Sequence, residues 1–194
     1  MEKKFASIGK PKLVSMIGGD SHHHHKQHSG ACGGGLDTHY WTSPLKLKEF
    51  AHIAYGEAIK LMPEAEAYFK QNLIAYEQRC DKVLEEGRAA LKAANVTHIF
   101  TYHPALGNYA SAMGLTQLAI EKDGREPTLG VVAKVVTEAR KHKVKKLFVQ
   151  NSGEADRSRV ILDRLGASSI TIQILSSKPL DIIQQITKAL ISTN

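Results

Sequence analysis

Residues 97–120, with the sequence THIFTYHPALGNYASAMGLTQLAI, predict a strand, a helix and a second strand in close succession. The same alternation of strand-like and helix-like segments continues towards the end of the chain. Strands that alternate with helices are typical of a parallel sheet with helices on its faces. We therefore predict a doubly wound α/β unit with a four-stranded parallel sheet. Its predicted strands are THIFTY, TQLAI, KKLFVQ and SITIQIL, and its predicted helices span residues 104–113, 128–142, 154–165 and 179–191.

Two predicted helices precede this sheet. Ser43 is a suitable N-cap and Pro44 a suitable first helical residue, so the first helix is expected to run from there to about Met62. The second helix is expected over residues 63–94 and would reach roughly 45–50 Å at 1.5 Å per residue. A helix of that length usually acts as a strut. Gly87 is a weak point within it, because glycine costs on the order of 1 kcal/mol relative to alanine in a helix.

A histidine-rich segment, GGDSHHHHKQHSGACGGGLDTHYW, occupies residues 18–41. The preceding KLVSMI, residues 12–17, predicts a short strand, and residues 18–36 predict a flexible loop because glycine and polar residues cannot offset the entropy of ordering. Consecutive histidines on such a loop bind zinc, copper or nickel weakly. The cluster is internal and has four histidines in a row, so we interpret it as a native metal-binding arm rather than a purification tag. Its histidines are His22, His23, His24, His25 and His28.

Composition narrows the class of protein. The chain has 194 residues, of which 42% are hydrophobic, enough for one domain of ordinary size. Its 26 Lys and Arg against 19 Asp and Glu give a net charge of +7, but the basic residues are spread along helical segments, so we expect no nucleic-acid partner. No run approaches the roughly 20 apolar residues of a membrane span, and the first residues lack the apolar region of a signal peptide. Whether Cys32 and Cys80 pair stays open.

Two histidines stand out as candidate metal ligands. Neutral imidazole is the commonest zinc ligand, and a zinc site needs three or four groups brought together by folding. His39 lies where the histidine-rich loop meets the first helix, and His103 follows the strand THIFTY directly. Ligands bind at the carboxyl ends of strands in open α/β sheets, which places His103 on the functional edge. By contrast, His52, His98 and His142 lie within helix or strand patterns and are interpreted as packing or capping residues.

Common catalytic motifs are absent from the sequence. It has no G-x-x-x-x-G-K-[ST] phosphate loop, no G-x-S-x-G elbow and no H-E-x-x-H pair. Cys32 lies in a glycine-rich loop that cannot preorganise a base for it. We therefore expect a binding protein rather than an enzyme. One alternative is a zinc hydrolase with metal-bound water as nucleophile and Glu126 as base, and another is a metal buffer that acts chiefly through the histidine-rich loop.

Three motifs resemble one protein family. DTHYWTSP, residues 37–44, resembles the D-P-H-x-W-x-[SD]-P signature of the solute-binding proteins of zinc and manganese ABC transporters, the zinc-uptake and metal-binding adhesin lipoprotein family. FTYHPALGNYASAMGL resembles that family's H-x-A-[FL]-G-Y motif at a strand end, and AIEKDGREPTLGVVAKVVTEARKHKVKKLFVQ resembles its E-x-x-x-E-P-[ST] helix and following strand. A histidine-rich loop before the first motif is typical of the zinc-specific members.

The resemblance implies a fold, a site and a function. The family has two α/β lobes joined by one long rigid helix, with the metal between them, and His39 and His103 match two of its metal-binding histidines. An imidazole at the position of His103 favours Zn²⁺ over Mn²⁺, because Mn²⁺ prefers oxygen ligands. The implied function is capture of Zn²⁺ outside the cytoplasm, in the periplasm or at the cell surface, and delivery to an ABC permease. Asp37 and Glu126 are candidates for organising this edge, Asp37 is equally a candidate helix cap, and Glu121 and Glu126 are expected to fix the loop that follows.

Departures from the family pattern concern the other ligands. Nearly all of the first lobe is missing with its histidine, so we predict a fragment: residues 1–62 are a remnant of the first lobe, 63–94 the linking helix and 95–194 the metal-binding lobe. Many members have an aspartate ligand after the strand matching SITIQIL, where this chain has Leu175, Ser176 and Ser177. A three-histidine site completed by water is therefore favoured. Thr38 replaces the proline of the signature and leaves the neighbouring histidine in register.

Overall fold

The computed structural model describes residues 37–121 and 127–192. The predictions for the strand at residues 12–17, the histidine-rich loop, Cys32 and Glu126 lie outside the described residues. Cys80, the other cysteine, is buried in a helix. Within these two ranges, no helix is both long and apolar enough to cross a membrane.

Two helices form the first part of the described chain. α1 spans Pro44–Leu61, and the Ser43 hydroxyl caps it as the sequence predicts. The helix predicted over residues 63–94 is instead a 3₁₀ turn, Pro63–Ala65, followed by α2, Glu66–Ala93. The 28 residues of α2 measure about 42 Å at 1.5 Å per residue. α1 packs along α2, so the long helix is supported on one side by its predecessor.

Four parallel strands form one sheet. Its strand order is β2-β1-β3-β4, so the prediction of a four-stranded parallel α/β sheet is confirmed. The last strand is shorter than SITIQIL predicts, because its pairing ends at Thr171, although the Ile172 N–H still donates to the Val149 carbonyl at 2.8 Å. The strands are β1 His98–Thr101, β2 Thr116–Ala119, β3 Lys146–Val149 and β4 Ser168–Thr171.

Four further helices connect and cover these strands. They are α3 Gly107–Met113, α4 Leu129–Lys141, α5 Ser152–Leu165 and α6 Pro179–Ile191. α3 begins later than predicted, because the residues before it form a turn in which the Leu106 N–H donates to the Gln117 side chain at 2.9 Å. α5 begins earlier than predicted, because the Asn151 side chain caps it by accepting the Glu154 N–H at 3.0 Å. The bounds of α6 agree with the prediction.

The helices cover both faces of the sheet, as a doubly wound fold requires. One core includes Ile99 of β1 with Tyr109 of α3 and Ile183 of α6, and α2 packs on the same side. The other core includes Phe100 of β1 with side chains of α4 and α5 such as Leu162. Because successive side chains of a strand point to opposite faces, the neighbours Ile99 and Phe100 enter different cores.

Gly87 has a packing role that the sequence does not predict. It is buried, and a Cβ atom there would lie 3.1 Å from the Sδ and Cε atoms of Met113 and 3.6 Å from Oγ1 of Thr187. Met113 ends α3 and Thr187 lies in α6, where its hydroxyl is 2.9 Å from the Tyr109 hydroxyl. Gly87 is therefore more than a weak point of the strut, because the absent side chain lets Met113 of α3 pack close against α2.

Candidate metal site

The carboxyl ends of β1 and β3 form the edge on which the candidate site lies. The chain passes from β1 to β2 on one side of β1 and then crosses to β3 on the other side. Such a reversal of strand order opens a crevice at the strand ends. His103 follows β1 at this point and lines a small cavity together with Val149 and Gln150 at the end of β3. The fold therefore places this imidazole where α/β sheets bind ligands.

His39 reaches the same edge from the segment before α1. The Asp37 carboxylate accepts the His39 backbone N–H at 3.0 Å, and the His39 carbonyl accepts the Thr42 hydroxyl at 2.8 Å. The Trp41 indole N–H donates to the Ile174 carbonyl at 3.0 Å. Because Ile174 follows β4, this last bond attaches the His39 segment to the sheet.

The two candidate histidines lie side by side. The ring centroids of His39 and His103 are 5.3 Å apart, and the ring planes are inclined by 77°. Two imidazoles that bind one tetrahedral zinc ion at about 2.0–2.1 Å have ring centres about 5 Å apart. The side chains are 21% and 31% exposed respectively, so an ion in solvent can reach them. The spacing therefore suits two ligands of one metal ion.

A carboxylate lies at the Nδ1 atom of each ring. Oδ1 of Asp37 is 2.8 Å from Nδ1 of His39, and Oε2 of Glu121 is 3.2 Å from Nδ1 of His103. A carboxylate at one ring nitrogen fixes the ring, favours a proton on that nitrogen and leaves the other nitrogen as the metal-binding atom. Nε2 is thus the atom left for metal in both rings. Glu121, which we expected to fix the following loop, lies against a candidate ligand.

Asp37 is held as an anion. Burial raises the pKa of Asp37, but hydrogen bonds from the His39 ring and backbone, the charge of His39 and the Asn108 N–H outweigh burial, so the pKa lies below its usual value. The Asn108 N–H donates to Oδ2 of Asp37 at 3.1 Å, in the first turn of α3. Asp37 therefore contacts both the candidate ligand His39 and the first turn of a helix, and the helix that it caps is α3 rather than the one that follows it in sequence.

Within residues 37–121 and 127–192, the ligand set does not extend beyond the two imidazoles. No group of three or more His, Cys, Asp or Glu side chains in these ranges could hold a metal ion. Residues 172–178, between β4 and α6, contain no Asp or Glu and so supply no carboxylate. Leu175 is exposed there, and the Ser176 hydroxyl accepts the Lys178 N–H at 3.0 Å. The histidine-rich segment, and Glu126 as the proposed base of a hydrolase, lie outside this part of the chain.

The other described histidines have different partners. Nε2 of His52 is 2.8 Å from a carboxylate oxygen of Glu77, across the contact of α1 with α2. His98 and His142 stack on each other, with ring centroids 3.6 Å apart and planes inclined by 25°. His98 begins β1, so this stack lies at the edge of the sheet opposite to the candidate metal site.

Two residues of α3 belong to the site, although the sequence assigned them no role. The Asn108 side-chain amide donates to the Asp37 carbonyl at 3.2 Å. A Cβ atom on Gly107 would lie only 2.7 Å from Oδ2 of Asp37. Both residues stand in the motif that contains His103, which could have drawn attention to them. Their partner is distant in sequence, however, and no local pattern pairs the two segments.

Comparison with known proteins identifies relatives of the chain. The family described as "ZnuA: Zinc-uptake complex component A periplasmic" matches residues 2–191. The chain is 27% identical over 143 residues to the "High-affinity zinc uptake system protein ZnuA" of Bacillus subtilis (strain 168), which covers 72% of this chain and 44% of that relative. The chain therefore spans less than half the length of this curated relative.

Solved structures share the fold. A crystal structure of a ZnuA deletion mutant with zinc bound has a TM-score of 0.73 at 20% identity, covering 82% of this chain and 62% of that chain. The metal-dependent lipoprotein YcdH from Bacillus subtilis has a TM-score of 0.64 at 25% identity, covering 81% of this chain and 64% of that chain. The architecture described above is therefore that of solved metal-binding proteins.

Proposed function

The chain belongs to the family of ZnuA, the periplasmic component A of zinc-uptake complexes, and we propose that it captures Zn²⁺ outside the cytoplasm as a solute-binding component and delivers it to an ABC permease. The observation that carries this proposal is the 5.3 Å approach of the His39 and His103 rings. The family consists of binding proteins, so the expected activity is binding and release without catalysis.

In the proposed complex, Nε2 of each imidazole binds the ion. Asp37 and Glu121 hold the Nδ1 atoms and increase the basicity of the rings. Their negative charges also offset part of the charge of a divalent cation. Water, or groups outside the described residues, complete the coordination. The 5.3 Å separation of the ring centroids is close to that of two imidazoles bound to one zinc ion.

The donor atoms support zinc as the cargo. Imidazole nitrogen suits Zn²⁺, whereas Mn²⁺ favours carboxylate, carbonyl and water oxygens. Both carboxylates at the site contact ring nitrogens and are thus engaged as partners of the imidazoles. A site built from two nitrogen ligands, with its oxygen atoms behind them, is expected to bind Zn²⁺ more tightly than Mn²⁺.

Calorimetric titration of the full chain with Zn²⁺ tests the proposal. We expect His39→Ala and His103→Ala each to abolish the tight binding step, and His52→Ala to leave it unchanged because His52 pairs with Glu77 away from the site. Binding should also weaken from about pH 7.5 to about pH 5.5, because protonated imidazole cannot bind metal. Tight binding that survives in both ligand variants would refute the assignment of the cargo site.

A further inference from the structure

We propose that Asn108 and Gly107 are positioning residues for metal binding, because together with Asp37 they form a clamp that fixes the His39 imidazole relative to His103. The clamp consists of Asp37, Gly107 and Asn108. It rests on the proposed function in taking Zn²⁺ as the ion that the two rings share. Its effect is to set the separation of the rings before any metal binds.

The Asp37 side of the clamp holds the ligand itself. Oδ1 of Asp37 lies 3.0 Å from the backbone nitrogen of His39 and 2.8 Å from its Nδ1 atom. An aspartate that accepts the N–H two residues later forms an Asx turn, which orders the backbone locally. One carboxylate oxygen therefore fixes both the main chain and the ring of the ligand. Any displacement of this carboxylate must move the imidazole or release it.

The Asn108 side of the clamp ties this turn to α3. The Asn108 N–H donates to Oδ2 of Asp37 at 3.1 Å, and the Asn108 side-chain amide donates to the Asp37 carbonyl at 3.2 Å. Leu106, at the N-cap position of α3, makes no side-chain capping bond, so Asp37 supplies the cap from a distant segment. These two bonds from Asn108 fix the orientation of Asp37 as well as its distance from α3.

Gly107 makes this contact sterically possible. A Cβ atom there would lie only 2.7 Å from Oδ2 of Asp37, which is shorter than a contact between carbon and a carboxylate oxygen allows. The backbone cannot easily retreat, because the preceding Leu106 N–H is bound to the Gln117 side chain of β2 at 2.9 Å. A side chain at this position must therefore push the carboxylate, and with it the His39 ring, out of place.

The clamp connects the two candidate ligands through a short path. His103 follows β1 and lies just before the turn that leads into α3, while Asp37 holds His39 against the start of that helix. The two rings, which are far apart in the sequence, are thus joined by bonds that do not involve a metal. A preorganised pair of ligands binds an ion more tightly because less ordering remains to be done on binding.

Substitutions of the clamp test this inference in the full chain. We expect Gly107→Ala and Asp37→Asn each to weaken Zn²⁺ binding about 10-fold to 100-fold, the usual effect of losing a partner behind a metal-binding histidine. Asn108→Ala, which keeps the backbone N–H, should have a smaller effect. Gly56→Ala is the matched control, because no atom lies within 4 Å of its added Cβ. Circular dichroism of the metal-free variants verifies that each one folds.

A second measurement does not depend on metal. Nitrogen-15 NMR of the His39 ring in the metal-free chain near pH 8 reports which ring nitrogen carries the proton. We expect a predominant Nδ1–H tautomer in the wild type and in Gly56→Ala, and a shift towards Nε2–H in Gly107→Ala. A merely structural role for Gly107 would leave this tautomer unchanged.

The outcomes separate the clamp from the proposed function. If His39→Ala abolishes zinc binding but Gly107→Ala and Asp37→Asn bind zinc as the wild type does, the clamp is refuted and the proposed function stands. If neither His39→Ala nor His103→Ala affects zinc binding, the proposed function fails, and the clamp is then tested by the NMR measurement of the His39 tautomer alone. An unchanged His39 tautomer in Gly107→Ala would then overturn it.

Discussion

Each candidate ligand is an imidazole paired with a carboxylate, but the two pairs have different origins. Asp37 reaches the His39 ring from two residues away, so a local turn creates that pair. Glu121 reaches the His103 ring from the residues after β2, so the pairing of β1 with β2 creates the other. The same chemical arrangement is thus encoded once by a short motif and once by the sheet. Only the first kind is visible in a local sequence pattern.

The stacked histidines at the opposite edge predict a dependence of stability on pH. Burial lowers the pKa of His98, the charges of His142 and Lys141 lower it further, and Glu138 opposes them. Because the folded pKa of His98 is below its unfolded value of about 6.5, the unfolded state binds more protons as the pH falls. The contribution of the His98–His142 stack to the free energy of unfolding is therefore fully present above about pH 6.5, and it is lost as the pH falls through the folded pKa of His98.

Urea unfolding of the metal-free chain measures this effect. We expect the urea concentration at the unfolding midpoint to decrease when the pH is lowered from about 7.5 to about 5.5. The decrease should be smaller in His142→Gln, which removes the neighbouring charge but not the burial of His98. His52→Gln is the control, because His52 stacks on no histidine ring in the described structure, and its pair with Glu77 lies at the surface, where such pairs contribute little to stability. An identical pH dependence in His142→Gln and the wild type would contradict the prediction.

At the scale of secondary structure, local signals located most elements but not all of their ends. Pro179 starts α6 and Ser43 caps α1 as predicted, because capping and proline effects act within one turn. The predicted start of α3 was wrong, because the side chain of Gln117, on another strand, takes the Leu106 N–H. The predicted end of β4 was wrong, because alternating apolar residues continue beyond the point at which a partner strand is present.

Two helical glycines differ in the space around them, so replacing each by alanine compares the effect of helix propensity with that of packing. Gly56 lies within α1 with no atom within 4 Å of an added Cβ, whereas a Cβ on Gly87 in α2 would lie 3.1 Å from Met113. Replacing a helical glycine by alanine stabilises by about 0.5–1 kcal/mol where there is space. We expect Gly56→Ala to increase the free energy of unfolding by that amount. Gly87→Ala should give a smaller gain or a loss, because Met113 is buried and must move.

Urea denaturation of the two alanine variants beside the wild type checks this prediction. Equal stabilisation by both substitutions would show that the Met113 side chain yields at no cost and that α3 is not held close to α2 by the glycine. Circular dichroism at zero denaturant ensures that each variant starts from the same helix content.

The position of the candidate site depends on the order of the strands in the sheet. Sequence periodicity predicted four strands, but it does not determine which strands are neighbours, since that depends on how the helices cover both faces. The order β2-β1-β3-β4 places His103 at the crevice between β1 and β3. The motif resemblance points to both histidines from local sequence alone. The bonds of Asp37 with Asn108 join segments 71 residues apart, so no local pattern predicts them.

A deletion distinguishes zinc binding at the candidate site from zinc binding by the histidine-rich segment. Deleting residues 21–29 removes five of the ten histidines and leaves the described site intact. Under the proposed function, calorimetry of this variant should retain one tight Zn²⁺ equivalent and lose weaker ones, because the sequence predicts only weak metal binding by the consecutive histidines. The double variant His39→Ala with His103→Ala should show the reverse. Loss of all tight binding on deletion would instead favour a metal buffer that acts through residues 21–29, and the paired imidazoles would then be a packing contact.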